Sequence, residues 1–159
     1  MKPESKLWQR VKKYTPNITW TRVESWASFG FPDLVGYTEN TGFFTVELKV
    51  TKSNKVALSP HQIGFHIKHP TNTFILIGTN DPSAPILYPG SAIKELAACG
   101  LELAACRLPL EAWSDLEENL LLAACRLWLV ACGLHIRIIL NWPGATLTLN
   151  HAAGPSPTL

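Results

Sequence analysis

The first 95 residues of this 159-residue chain predict an α/β fold with a mixed sheet, its elements running α-β-β-β-α-β. Three patterns carry that expectation: helix-spaced apolar residues at the start, alternating apolar and polar residues in the middle, and a Ser-Pro helix start after the third strand. In the opening segment Leu7, Trp8, Val11 and Tyr14 recur at helical spacing among basic residues, and Pro16-Asn17 ends the run. Ile18 to Val23 alternates as a strand. Gly30-Phe31-Pro32 turns the chain into a short strand, Asp33 to Tyr37, and Glu39 to Gly42 reads as a hairpin turn. Phe43 to Thr51 is the plainest strand. Phe44, Val46, Leu48 and Val50 face one way there, and Thr45, Glu47, Lys49 and Thr51 the other. Ser59 as N-cap and Pro60 at the first helical position start a helix that runs to about His69. A buried strand (Thr73 to Gly78), a Pro-rich turn, a short strand (Ile86 to Tyr88) and a helix from about Ser91 follow.

The remainder differs in kind. Residues 96–106 and 122–132 are identical at eight of eleven positions, an internal repeat at an offset of 26. Leu96, Cys99, Leu103 and Cys106, and again Leu122, Cys125, Leu129 and Cys132, fall at coiled-coil a and d spacing. The expectation is a C-terminal helical hairpin over 96–140, turned at Pro109 and followed by a loose tail, 141–159. Leu101, Leu108, Leu120, Leu121, Leu127, Trp128 and Val130 lie off those seams and need cover of their own. A homo-oligomer, most simply a two-fold dimer, would supply it; folding back onto the sheet is the alternative. Within each helix the paired cysteines are about 10.5 Å apart, too far to share one ion, so packing is their expected role.

Charge is unevenly spread. Residues 1–70 carry a net +5, residues 71–110 a net −1 and residues 111–159 a net −2. A basic first half suits an anionic partner, nucleic acid first among them. Lysines and arginines interrupt any signal-peptide core at the start, and Arg126, His135 and Arg137 argue against a membrane span through the apolar stretch 120–140. Reduced cysteines in apolar settings point to a cytoplasmic setting.

Hydrolysing a phosphodiester at neutral pH calls for a divalent metal held by carboxylates. Glu47 and Lys49, two apart on one strand, project from one face roughly 7 Å apart. The carboxylate can hold metal while the ammonium contacts the attacking water or the phosphate. Asp33 can supply a second carboxylate if the two strands pair about Glu39–Gly42. Taken alone, Glu-x-Lys is equally a solvated strand face with an ion pair.

Arg22-Val23-Glu24, Gly30-Phe31-Pro32-Asp33, Val46-Glu47-Leu48-Lys49 and Leu58-Ser59-Pro60-His61-Gln62, taken in that order, resemble the PD-(D/E)xK nuclease superfamily, specifically its small phage-type VRR-NUC-like members. The resemblance covers about residues 4–90. It implies a restriction-endonuclease-like core and a Mg²⁺-dependent endonuclease acting on DNA, with Mn²⁺ able to substitute. It further implies metal binding by Asp33, Glu47 and the Leu48 carbonyl, and support of the attacking water by Lys49. If phage-encoded, the protein would work in the cytoplasm of a bacterial host. A Holliday-junction or branched-DNA resolvase of the same fold, or a non-catalytic DNA-binding module, are the alternatives.

Four further groups have two readings each. Glu4 stands where related nucleases place another acidic ligand, and is also an acid favoured in a first helical turn. Glu24 is a site acid or a partner of Arg22. Gln62 matches a glutamine at the active-site edge, yet Ser59-x-x-Gln62 is also a capping box. His61, His66 and His69 are expected to face solvent or phosphate, with zinc binding through His66 and His69 the lesser reading.

Overall fold

Five strands, β1 (Thr19–Arg22), β2 (Leu34–Thr38), β3 (Gly42–Val50), β4 (Thr73–Gly78) and β5 (Ile86–Pro89), lie side by side in sequence order in the computed structural model. The structure describes residues 3–23, 30–80, 84–102, 106–108 and 110–124, all within one unit, Met1–Trp128. Strands β1 and β2, β2 and β3, and β4 and β5 pair antiparallel, whereas β3 and β4 pair parallel. Only the parallel pair needs a crossover, and helix α2 (Pro60–Lys68) makes it. The sheet is therefore mixed, as the sequence predicts.

Two apolar layers sandwich it. On one face Phe44, Val46 and Leu48 of β3 and Phe74 and Leu76 of β4 pack with Leu7, Trp8 and Val11 of helix α1 (Pro3–Tyr14) and with Leu116, Leu120 and Ala124 of helix α4 (Leu116–Ala124). On the other, Ile75, Ile77 and Tyr88 pack with Ile93 and Leu96 of helix α3 (Ile93–Cys99), and Ile63 of α2 joins them. β4 contributes to both layers, which is why all its residues but Gly78 are buried.

The repeat does not produce the expected hairpin among the described residues. Its first half stops being α-helical at Gly100, where a 3-10 turn (Gly100–Glu102) takes over. Gly100 has φ +64° and lies so close to Asn54 that a Cβ there would stand 2.2 Å from the Asn54 carbonyl oxygen. Leu101 N–H then bonds that same oxygen at 2.8 Å. The second copy has Arg126 where the first has Gly100, so the halves diverge at the residue that breaks the helix. Leu96 of the first copy is fully buried, whereas its counterpart Leu122 is half-buried. Leu108 N–H bonds the Leu87 carbonyl as a bridge to β5, and Leu101 and Leu121 pack on the two cores. For these residues the cover assigned to an oligomer comes from the chain itself. Leu127, Trp128, Val130, Cys125 and Cys132 lie outside the described residues. Cys99 is exposed, contrary to its expected packing role, and it is the last residue of α3. Among the described residues no helix is long and apolar enough to cross a membrane.

Candidate active site

Strand β3 lies between β2 and β4, and its polar face looks toward α2. Glu47 on that face is only 1% exposed. Its Oε1 accepts from Gln62 Nε2 and sits 3.0 Å from Lys49 Nζ. Its Oε2 is buried with no hydrogen-bond partner among the described residues. A buried carboxylate oxygen in that state is costly unless something cationic completes it. Burial, then the negative charge of Asp33, push the Glu47 carboxyl up to about 7; Lys49 pulls the other way and Glu4 adds to the rise.

Asp33 precedes β2 and reaches β3 through backbone. Leu34 pairs with Val46 as the last rung of the β2–β3 ladder, so Leu48 lies past its end. Asp33 Oδ2 takes up the Leu48 N–H at 2.8 Å in place of a strand carbonyl. In an extended strand the N–H and C=O of one residue face the same edge, so the Leu48 carbonyl shares the edge that Asp33 occupies. Asp33, Glu47, Lys49 and the Leu48 backbone are thus brought together, with Glu4 near enough to act on Glu47 electrostatically.

Gln62 completes the capping box and also contacts Glu47. Ser59 Oγ accepts from Gln62 N–H and Gln62 Oε1 accepts from Ser59 N–H, a complete capping box at the start of α2. The amide nitrogen left over is the one that donates to Glu47. The helix cap therefore fixes which end of the Gln62 amide meets the carboxylate.

The loop carrying Asp33 is clamped to the same helix. Gly30 has φ +86°, and a Cβ there would lie 2.4 Å from the His61 backbone carbon. Phe31 then stacks edge-on against Phe65, with ring centroids 5.3 Å apart. Gly30→Ala should cost about 2–4 kcal/mol, since it adds backbone strain to a clash with backbone that cannot yield. Urea unfolding measures this, and a variant within 0.5 kcal/mol of wild type, roughly the size of a neutral surface change, would contradict the clamp.

His66 corrects an expectation. It is fully buried, with Nδ1 3.1 Å from Thr73 Oγ1. Thr73 donates its one hydroxyl proton to the His69 carbonyl, so His66 Nδ1 carries the hydrogen in that pair. Burial lowers its pKa to about 4, with the charge of His69 adding to the effect. The structure makes His66 a neutral core histidine. Sequence spacing misses it because its partner Thr73 comes from the next strand. Glu24 lies outside the described residues.

Among the described residues no three His, Cys, Asp or Glu side chains stand close enough to hold an ion by themselves. Two carboxylates with a backbone carbonyl fit magnesium, which takes one or two protein carboxylates and fills its shell with other oxygens. The unpartnered Glu47 Oε2 is the observation that favours this fit.

No protein-family model matches the chain, and no curated protein does. Among solved structures the chain is similar to Hjc, a Holliday junction resolvase from the archaeal hyperthermophile Archaeoglobus fulgidus, at 19% identity and a TM-score of 0.37. The match covers 55% of this chain and 66% of that one, just under two thirds of the resolvase. A likeness at this level carries no functional weight.

Proposed function

We propose that the protein is a divalent-metal-dependent nuclease that hydrolyses DNA phosphodiester bonds. The observation that carries this reading is the buried Glu47 carboxylate, which has one oxygen without a partner among the described residues and Asp33 and Lys49 beside it. Asp33, Glu47 and the Leu48 carbonyl would hold Mg²⁺ or Mn²⁺. Such an ion, when bound, neutralises phosphate charge and makes water a better nucleophile.

The chain's own groups do the rest. Gln62 holds Glu47 Oε1 in place, leaving Oε2 to serve as ligand. Lys49 Nζ has three protons, so beyond its contact with Glu47 it can donate to the attacking water or to a phosphate oxygen. Asp33, fixed by the Leu48 N–H, keeps one geometry as substrate enters. The exposed Lys52 and Lys55, in the loop from β3 to α2, supply cations for the phosphate backbone.

Incubation with supercoiled, linear and branched DNA tests the reading. Cleavage is expected with Mg²⁺ or Mn²⁺ and none in chelator, and Asp33→Asn should be inactive with an unchanged circular dichroism spectrum. Mn²⁺ should also raise the melting temperature of the wild type and leave that of Asp33→Asn unmoved. Undiminished cutting in chelator would sink the proposal.

A further inference from the structure

The face of the sheet that bears Glu47 extends beyond the cover of α2, and that extension carries rings. Phe43 and Tyr37 pair across β2 and β3 with ring centroids 4.8 Å apart, and they are 69% and 38% exposed. Phe43 alternates with Thr45 and Glu47, so it stands on the Glu47 face four residues away, about 13 Å along the strand. Exposed Thr19 lies beside Tyr37, and between the pair and Asp33 runs a strip of exposed Thr21 with half-buried Val35. At the Asp33 end Phe31 is 39% exposed against Phe65. Asn72, in the loop between α2 and β4, donates to the Phe43 carbonyl at the far end of the strip, and Lys68, the last residue of α2, is exposed.

We propose that this open face binds a single-stranded stretch of the DNA substrate, with Tyr37 and Phe43 as the stacking platform remote from the cut and Phe31 as the one beside it. The identity of the ligand as nucleic acid rests on the nuclease reading. Exposed rings set among hydroxyls and flanked by cations suit unpaired bases, because every base offers a flat face to stack and every nucleotide a phosphate to neutralise. A second protein copy is the other candidate occupant. Stable protein interfaces bury at least about 1,000 Å², with a well-packed apolar centre. A few rings separated by threonines offer no such centre.

The substrate class that follows is DNA with unpaired bases next to the cut, such as a flap, fork or branch. The test uses the full-length protein in chelator and two DNAs with the same stem and closing loop, a blunt-ended paired hairpin and the same hairpin with a single-stranded arm containing 2-aminopurine. Binding should quench or shift the 2-aminopurine signal. Phe43→Ala should weaken affinity for the armed DNA about five- to tenfold, change the paired hairpin less than about twofold, and be rescued by Phe43→Trp. Equal affinity of wild type and Phe43→Ala for the armed DNA overturns the proposal. So does a Phe43→Ala protein whose loss is of oligomeric mass in light scattering, which would make the face a protein interface. Failure of the nuclease reading shows separately, as no cleavage of either DNA by the wild type with Mg²⁺ or Mn²⁺.

Discussion

Glu47→Gln is expected to abolish DNA cleavage and, in metal-free buffer at neutral pH, to make the protein more stable. The first effect follows from losing a charged ligand. The second follows from what burial does to that charge. The folded state holds the Glu47 proton up to about pH 7, whereas the unfolded chain releases it near 4.5. Stability from this group is therefore fully present below 4.5 and is lost as pH rises through 7. At one pKa unit per 1.36 kcal/mol the loss is at most about 3 kcal/mol, and Gln avoids it while keeping an oxygen for Gln62. Lys49 loses its partner in the variant, so a net gain of about 1–2 kcal/mol at pH 8 is expected, shrinking toward pH 4. His66 acts with the opposite sign. Its folded pKa is lowered to about 4, so its contribution is present above 6.5 and lost as pH falls through 4. Because His66 is common to both proteins, the difference between their stability–pH curves isolates Glu47. Denaturant melts from pH 4 to 8 measure it. A variant equally destabilised at every pH would show that the Glu47 charge is no burden to the fold.

Lys49→Ala is expected to lower kcat by 10²–10⁴-fold, the range typical of a lost proton-handling group, with the Kd for DNA raised only about threefold. One complication can be separated by pH. The Lys49 charge lowers the Glu47 pKa, so its removal leaves Glu47 more protonated and a weaker ligand. If Lys49 acts only through Glu47, raising the pH by about two units should restore most of the rate. If it serves the water or phosphate directly, the deficit persists at high pH. Near wild-type turnover at pH 7 would remove Lys49 from the site.

Much of this was legible in the sequence, for physical reasons that are local. Alternation in Phe43–Thr51 separates the Leu48 face from the Glu47 face, and Ser59-Pro60 sets the start of α2 within one residue. The spacing of Asp33, Glu47 and Lys49 needed only a hairpin to bring them together, and Gly42 at φ +70° closes it. Nonlocal features were hidden. Nothing near His66 shows that Thr73 will bury with it, and its three-histidine helix reads as polar. The repeat does not reveal where α3 ends, because identity at eight of eleven positions says nothing about where Asn54 will approach Gly100. Cys99 is exposed for the same reason: the helix that would have continued its seam ends there.

The consecutive order of the strands also shapes how the molecule folds. Each strand pairs with its neighbour in sequence, so most pairings close short loops, which favours fast folding. The parallel pairing of β3 with β4 is the exception, since it must await the whole α2 crossover. That slower closure seats Gln62 on Glu47 and brings β4 into both apolar layers. A chain stalled before that closure should therefore hold Asp33, Glu47 and Lys49 together on the β2–β3 hairpin while lacking β4 in either layer and the Gln62 contact to Glu47.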